Sequence, residues 1–83
     1  MEIKMTNLEK YNNAFINGLE ITEDILHPGL EYQEIENWDS VGHMNLIAEL
    51  EDTFDIVFET DDIIDFNSYE KGKELLKKYN VEI

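Results

Sequence analysis

The sequence predicts a single all-α domain, a four-helix bundle of three longer helices and one short helix with a long first loop. Apolar residues recur at intervals of three and four in three segments, which is the spacing that places them on one face of a helix. Residues that favour helix N-termini precede these segments. The chain has 83 residues, enough for one modest core, so residues 1–83 are expected to form one domain.

The first helix is predicted to begin after Thr6. Thr6 and Glu9 have the spacing of a capping box, in which each side chain accepts a hydrogen bond from the other residue's backbone amide. The apolar stripe that follows consists of Leu8, Tyr11, Phe15 and Leu19. Gly18 weakens the end of this helix, because glycine is a poor helix former.

A long apolar loop is predicted over residues 21–37, where the periodicity disappears. The turn signal His27-Pro28-Gly29 lies within it, because proline fixes one backbone torsion and glycine permits unusual ones. The other notable residues of the loop are apolar: Ile25, Leu26, Leu30, Tyr32 and Ile35. We expect the loop to wrap the core, with room for a short helical turn, and we expect Trp38 to anchor it.

The second helix is predicted to follow Asp39. Its apolar stripe consists of Val41, Met44, Ile47, Leu50 and Phe54, widened by Leu46 and Ala48. The residues that fall largely on the opposite side are Asn45, Glu49, Asp52 and Thr53. This pattern predicts an amphipathic helix that packs on the core by one face.

The C-terminal part is predicted to contain a short helix and a longer one. The segment FDIVFE alternates like a strand but has no partner strand, so we interpret it as an extended connection. Thr60, Asp61 and Asp62 suit the start of the short helix, where acidic side chains are favourable. Asn67 and Glu70 have capping-box spacing ahead of the last helix. The apolar face of that helix consists of Tyr69, Gly72, Leu75 or Leu76, and Tyr79.

The chain is strongly acidic. Twenty Asp and Glu residues face six Lys, which gives a net charge of −14 at pH 7, and residues 11–70 contain sixteen carboxylates and no Lys or Arg. Such a surface repels nucleic acid and anionic lipid and attracts basic protein surfaces. The competing explanation is that the charge only keeps a small domain in solution. Like charge also favours a monomer at low salt.

The sequence also limits the compartment and the metal chemistry. It contains no cysteine, which excludes a disulfide framework and thiolate metal sites. The opening MEIKMTNLEK lacks the apolar stretch of a signal peptide, and no run could span a bilayer, so we expect a soluble cytoplasmic protein. Asp61, Asp62 and Asp65 lack the acidic spacing and central glycine of an EF-hand, so we expect no specific metal site.

Ser40 is the principal candidate for a functional residue. Asp or Ser ahead of an apolar run is usually a helix cap, but Asp39 and Ser40 stand side by side and only one cap is needed. If Asp39 caps, Ser40 becomes the first helical residue, and its hydroxyl faces solvent at a helix end that favours anions. Asp39, Ser40 and His43 contain the three residue types of a hydrolase triad. Asp39 cannot easily orient the far side of His43, so we expect no catalysis and a solvated His43.

The stretch from Ile35 to Tyr79 resembles acyl carrier proteins and their peptidyl-carrier relatives. The resemblance consists of Asp39-Ser40 followed by an aliphatic Val41, then the helix MNLIAELEDTF, the extended FDIVFE, the acidic turn TDDI and a closing helix. The first helix and the apolar loop fit the same four-helix plan. The resemblance implies that Ser40 carries 4'-phosphopantetheine, donated from coenzyme A by a separate transferase. The thiol of that arm would hold an acyl or aminoacyl group as a thioester, while the chain itself remains non-catalytic.

The resemblance also implies partners and contact residues. The partners are a phosphopantetheinyl transferase, an acyl- or aminoacyl-loading ligase, and acyl-transfer enzymes with basic docking surfaces. Val41 and Met44 would be apolar contacts beside the arm, although core packing is the competing explanation for both and for Ala48. The acidic contacts would be Glu51 and Asp52, with Glu49, Asp61 and Asp62 added from the pattern of surface charge.

The sequence departs from the pattern of fatty-acid carriers. Those carriers usually have Leu and then an acidic residue after the serine, where this chain has Val41 and Gly42. Asn45 and Thr60 stand where acidic residues are usual, and Trp38 stands where a small residue is common. The form WDSVGHM looks more like stand-alone carriers of polysaccharide, natural-product or aminoacyl-transfer pathways. The alternatives are an aminoacyl or peptidyl carrier, or an unmodified acidic helical adaptor that binds a basic partner.

Overall fold

The computed structural model describes residues 5–83, which form four helices: α1 (Asn7–Leu19), α2 (Ser40–Phe54), α3 (Thr60–Asp65) and α4 (Tyr69–Lys78). This confirms the all-α prediction, with three longer helices and one short helix. Lys4 and the rest of the first four residues, part of the segment searched for a signal peptide, lie outside the described residues. Within residues 5–83 the only β-type pairing is an isolated bridge between Glu31 and Ser68.

The caps of α1 and α4 show one prediction confirmed and one wrong. Thr6 and Glu9 form the expected capping box at the start of α1. At α4 the cap is Ser68, whose Oγ accepts a hydrogen bond from the backbone amide of Lys71 at 3.0 Å. Asn67 was predicted to be this cap, but its carbonyl instead accepts a hydrogen bond from the Tyr32 amide at 2.9 Å. The helix therefore begins one residue later than the sequence indicated.

The core lies between α1 and α2 and is closed by the first loop and by α4. Gly18 permits the close approach of the first two helices, since a Cβ there would lie 2.7 Å from Cα of Leu46. Aromatic rings fill much of the interior, and Phe15 contacts Trp38 edge-on at 5.3 Å between ring centroids. Leu8, predicted as part of the α1 stripe, is 41% exposed. It lies in the first turn of α1.

The buried face of α2 differs from the predicted stripe. The residues that face the core are Gly42, Leu46, Ile47 and Leu50. Val41 and Met44 are 70% and 56% exposed, and Ala48 is exposed as well. The core interpretation of these three residues is therefore wrong. Ile47 and Leu50 are buried as predicted. In the first turn the loop backbone packs against Gly42, which therefore faces inward in place of Val41.

The first loop wraps the core as predicted, and within residues 20–39 it contains single turns and no helical segment. Hydrogen bonds between residues three apart form these turns, including Leu30 to His27 and Trp38 to Ile35. Leu30 is fully buried, and its carbonyl accepts a hydrogen bond from the Tyr69 amide at 2.8 Å. Together with the bond from the Tyr32 amide to the Asn67 carbonyl, the bond from Tyr69 forms the bridge between Glu31 and Ser68 that attaches the loop to the start of α4.

A buried carboxylate joins α3 to α4. Asp62 is 4% exposed, and its two oxygens accept hydrogen bonds from Nζ of Lys78 at 2.7 Å and from the Tyr79 hydroxyl at 2.6 Å. The bond from Lys78, then that from Tyr79, holds the pKa of the Asp62 carboxyl below its ordinary value. The assignment of Asp62 to partner enzymes rested on surface charge, and it is wrong because Lys78 and Tyr79 cover this carboxylate and bind both of its oxygens.

The segment FDIVFE is an extended connection, as predicted, and Phe58 anchors it in the core. None of the helices in the described part of the chain is long and apolar enough to cross a membrane.

Candidate functional site

Asp39 caps α2 as expected. Its backbone is extended, and Oδ1 accepts a hydrogen bond from the Gly42 amide at 2.8 Å. Its carbonyl accepts a second bond from the His43 amide, also at 2.8 Å. The first turn of α2 is therefore supported without any contribution from the hydroxyl of Ser40.

Ser40 is the first residue of α2, and it is exposed. Its Oγ lies 3.3 Å from the hydroxyl oxygen of Tyr32, within hydrogen-bond distance. Ser68, the other serine of the chain, occupies a similar place before α4, but its hydroxyl is engaged as the cap. Of the two serine hydroxyls, the one on Ser40 is thus available for chemistry with a partner.

Gly42 permits close contact between the start of α2 and the preceding loop. A Cβ at this position would overlap the carbonyl oxygen of Asn37. The side chain of Asn37 donates hydrogen bonds to the carbonyls of Leu19 at 2.9 Å and Glu20 at 3.1 Å, at the C-terminal end of α1. Glycine at position 42 therefore serves the packing of this chain, since any larger residue would push the loop away from both helices.

His43 is half-buried, so the prediction of a solvated histidine is wrong. Its Nδ1 accepts a hydrogen bond from the indole N–H of Trp38 at 3.0 Å, and its Nε2 donates to the carbonyl of Ile63 at 2.8 Å. The two bonds together require the tautomer protonated at Nε2. Because both ring nitrogens are engaged, His43 is not placed to deprotonate Ser40, and the three triad residue types do not form a triad.

Trp38 anchors the loop as predicted. It is fully buried, packed edge-on against Phe15 and stacked on His43 with ring centroids 6.2 Å apart. Tyr32 meets the edges of both Trp38 and His43, at 6.3 Å and 5.5 Å between ring centroids. The aromatic packing thus fixes the ring whose hydroxyl lies beside Ser40.

The acidic residues assigned to partners have different environments. Asp52 and Asp61 are exposed, and Glu49 is half-buried. The carboxylate of Glu51 accepts a hydrogen bond from the Phe58 amide at 2.9 Å, so it stabilises the connection between α2 and α3. No group of three or more His, Asp or Glu side chains within residues 5–83 is arranged to hold a metal ion.

Apolar side chains are also exposed near Ser40. Val41 and Met44 lie on the first turns of α2, and Ile64 on α3 is 71% exposed. Ile64 was not predicted from the sequence to be a surface residue. The adjacent pair Ile63-Ile64 was a signal for it, because a helix that buries one of two neighbouring residues turns the other toward solvent.

A shallow cleft of about 220 Å³ lies between the first loop, α2 and α3. The residues that line it are Tyr32, His43, Ile63, Ile64, Phe66 and Asn67. Tyr32 belongs both to this cleft and to the contact with Ser40. No spacing in the sequence predicts the contact between Tyr32 and Ser40, because that contact depends on how the loop folds.

No protein-family model, curated protein or solved structure significantly matches this chain.

Proposed function

We propose that this protein is a stand-alone carrier of the acyl-carrier type, which holds an acyl or aminoacyl group as a thioester on a 4'-phosphopantetheine arm attached to Ser40. The observation that carries the proposal is that two neighbouring residues at the start of α2 have different roles. Asp39 caps the helix, and Ser40 beside it keeps an exposed hydroxyl with no capping role. The four-helix architecture agrees with the resemblance on which the assignment rests.

The residues present fit such a group. Oγ of Ser40 would form a bond to the phosphorus that carries the pantetheine, adenosine 3',5'-bisphosphate would leave from coenzyme A, and the hydroxyl proton would pass to the transferase. The arm supplies the thiol that a chain without cysteine lacks. The first turn of α2 favours an anion at this position, because its amides point toward it. Asp39 and Tyr32 would position the attachment point.

Partner enzymes would dock on the exposed part of α2 and α3 beside Ser40. Val41 and Met44 offer apolar contacts, and Asp52 and Asp61 are exposed carboxylates that suit Lys and Arg on a partner. Charges of this kind accelerate encounter more than they strengthen binding, each pair adding about 0–1 kcal/mol. A net charge of −14 extends that attraction over longer distances at low salt.

The departures from the fatty-acid pattern, Val41-Gly42 among them, favour a specialised pathway such as polysaccharide, natural-product or aminoacyl-transfer metabolism in the cytoplasm. The cargo would be chosen by the loading enzyme, because the carrier only presents it. Tethering raises the effective concentration of the cargo at each partner without a separate binding event.

Intact-mass analysis tests the proposal. The protein is incubated with coenzyme A and a broad-specificity phosphopantetheinyl transferase, and we expect a mass gain of one phosphopantetheine. Ser40→Ala should abolish the gain. Ser68→Ala removes the other serine of the chain and is the matched control, which should still be modified. Absence of any gain with several transferases would favour the unmodified acidic adaptor.

A further inference from the structure

His43 fills the space between α2, α3 and the first loop, one turn after Ser40. Its ring stacks on Trp38 and meets the edges of Tyr32 and Phe66, with ring centroids 5.5–6.2 Å away. The side chain is therefore packed between aromatic rings on the inner side of the helix surface that would carry the arm.

Two hydrogen bonds hold the ring in this position. Trp38 donates to Nδ1 at 3.0 Å, and Nε2 donates to the carbonyl of Ile63 at 2.8 Å. The ring cannot swing outward without leaving the indole N–H of the fully buried Trp38 unpaired, and an unpaired buried donor is strongly unfavourable. His43 thus ties α2 to α3 and to the loop across the gap that a cargo entering beside Ser40 would have to open.

The cleft on the solvent side of His43 is small. The cleft beside His43 measures about 220 Å³, whereas pockets that bury a small molecule commonly measure about 300–1,000 Å³. Below it, Phe15, Trp38 and Phe66 are at most 1% exposed and pack against one another. The interior next to Ser40 is occupied by side chains of the protein itself.

We propose that His43 closes the helix bundle to the cargo of the Ser40 arm, so that the acyl group remains in solvent. This inference rests on the proposed carrier function. A long aliphatic chain held in water is unfavourable, because its apolar surface stays hydrated. The cargo class that suits this protein is therefore a short or polar acyl group, such as an aminoacyl or hydroxyacyl group.

Chemical attachment tests the closure without a transferase. Because the sequence contains no cysteine, Ser40→Cys supplies a single thiol at the attachment point. This variant is alkylated with N-methyl iodoacetamide or with N-octyl iodoacetamide. Trp38, the only tryptophan, reports through its fluorescence on the space beside His43, and the thermal midpoint reports on burial of the alkyl chain.

We expect the two adducts to share one Trp38 emission maximum and to unfold within about 1 °C of each other. With His43→Ala added, the octyl adduct should unfold about 4 °C or more above the methyl adduct, because the chain can enter the opened space. His27→Ala is the matched control, since it removes an exposed histidine whose ring bonds to Glu34. With His27→Ala added, the two adducts should behave as they do in Ser40→Cys alone.

An octyl adduct of Ser40→Cys that already raises the midpoint by about 4 °C or more and shifts the Trp38 emission would overturn the closure. This comparison decides the matter even if His43→Ala does not fold. Adducts of equal stability, in a protein that gains no phosphopantetheine from any transferase, would support the closure and refute the carrier function.

Discussion

Replacing Gly42 with alanine tests the close approach between α2 and the loop that precedes it. Alanine favours a helix over glycine by about 1 kcal/mol, so helix propensity alone predicts a more stable protein. The structure predicts the opposite. A Cβ at Gly42 would overlap the carbonyl oxygen of Asn37 and lie 3.3 Å from Oδ1 of Asp39, the cap of the same helix.

The size of the expected loss in unfolding free energy follows from the displacement of the Asn37 backbone. An extra methyl group in a filled space costs about 1–3 kcal/mol. Displacing Asn37 weakens its two hydrogen bonds to the end of α1, each of which contributes about 0.5–1.5 kcal/mol. Set against the gain in propensity, the free energy of unfolding should fall by about 1–5 kcal/mol. In a domain of this size a loss of 1 kcal/mol lowers the thermal midpoint by about 4–8 °C.

Urea unfolding followed by Trp38 fluorescence measures this difference. Gly29→Ala is the matched control, because a Cβ there would lie 3.5 Å from Nδ1 of His27, an ordinary contact. That variant should be neutral or more stable by up to about 1 kcal/mol, because alanine restricts the unfolded chain. A Gly42→Ala protein at least as stable as the wild type would refute the close approach at Asn37.

Three further predictions follow from the same contacts. Asp62→Asn should lower the free energy of unfolding at neutral pH. Because the pKa of Asp62 in the folded state is below the ordinary value of 3.8, the difference in unfolding free energy between wild type and variant should shrink as pH falls below 3.8 and vanish below the folded-state pKa. A difference that does not depend on pH would contradict the role of the carboxylate. Asp39→Ala should lose about 1 kcal/mol in urea unfolding, and Asp39→Ser should retain most of it, since both Asp and Ser cap helices; equal losses would argue against the cap. Tyr32→Phe should leave the thermal midpoint nearly unchanged but slow modification of Ser40 by about two- to tenfold, the equivalent of one neutral hydrogen bond, and an unchanged initial rate would mean that the contact does not orient the hydroxyl.

The helices could be predicted from the sequence because their signals are local. The capping box of Thr6 and the cap at Asp39 depend on residues three positions apart, and the apolar periods depend on one helix at a time. The inward face of α2 could not be chosen in this way. Val41 and Met44 are exposed although Ile47 and Leu50 of the same predicted stripe are buried. The approach of the loop backbone to Gly42 determines which residue of the first turn faces inward.

The surroundings of Ser40 were less predictable than Ser40 itself. Tyr32 comes from the first loop, and Ile63, which accepts the hydrogen bond of His43, comes from α3. These contacts join residues of different structural elements, so no spacing in the sequence predicts them. The same holds for Asp62, which a count of charges treats as a free surface carboxylate but which Lys78 and Tyr79 cover and bind.

The two serines of the chain illustrate why neighbouring cap residues have different fates. Asp39-Ser40 and Asn67-Ser68 look alike in sequence, each a pair of good caps ahead of a helix. At α4 the carbonyl of Asn67 is held by the amide of Tyr32, so the backbone stays extended through Ser68 and the serine caps. At α2 the carbonyl held by a loop amide is that of Trp38, which accepts a hydrogen bond from the Gln33 amide at 3.0 Å, so the next residue, Asp39, caps and the hydroxyl of Ser40 stays exposed. The availability of that hydroxyl is therefore a consequence of backbone pairing within the first loop, and the proposed attachment site depends on it.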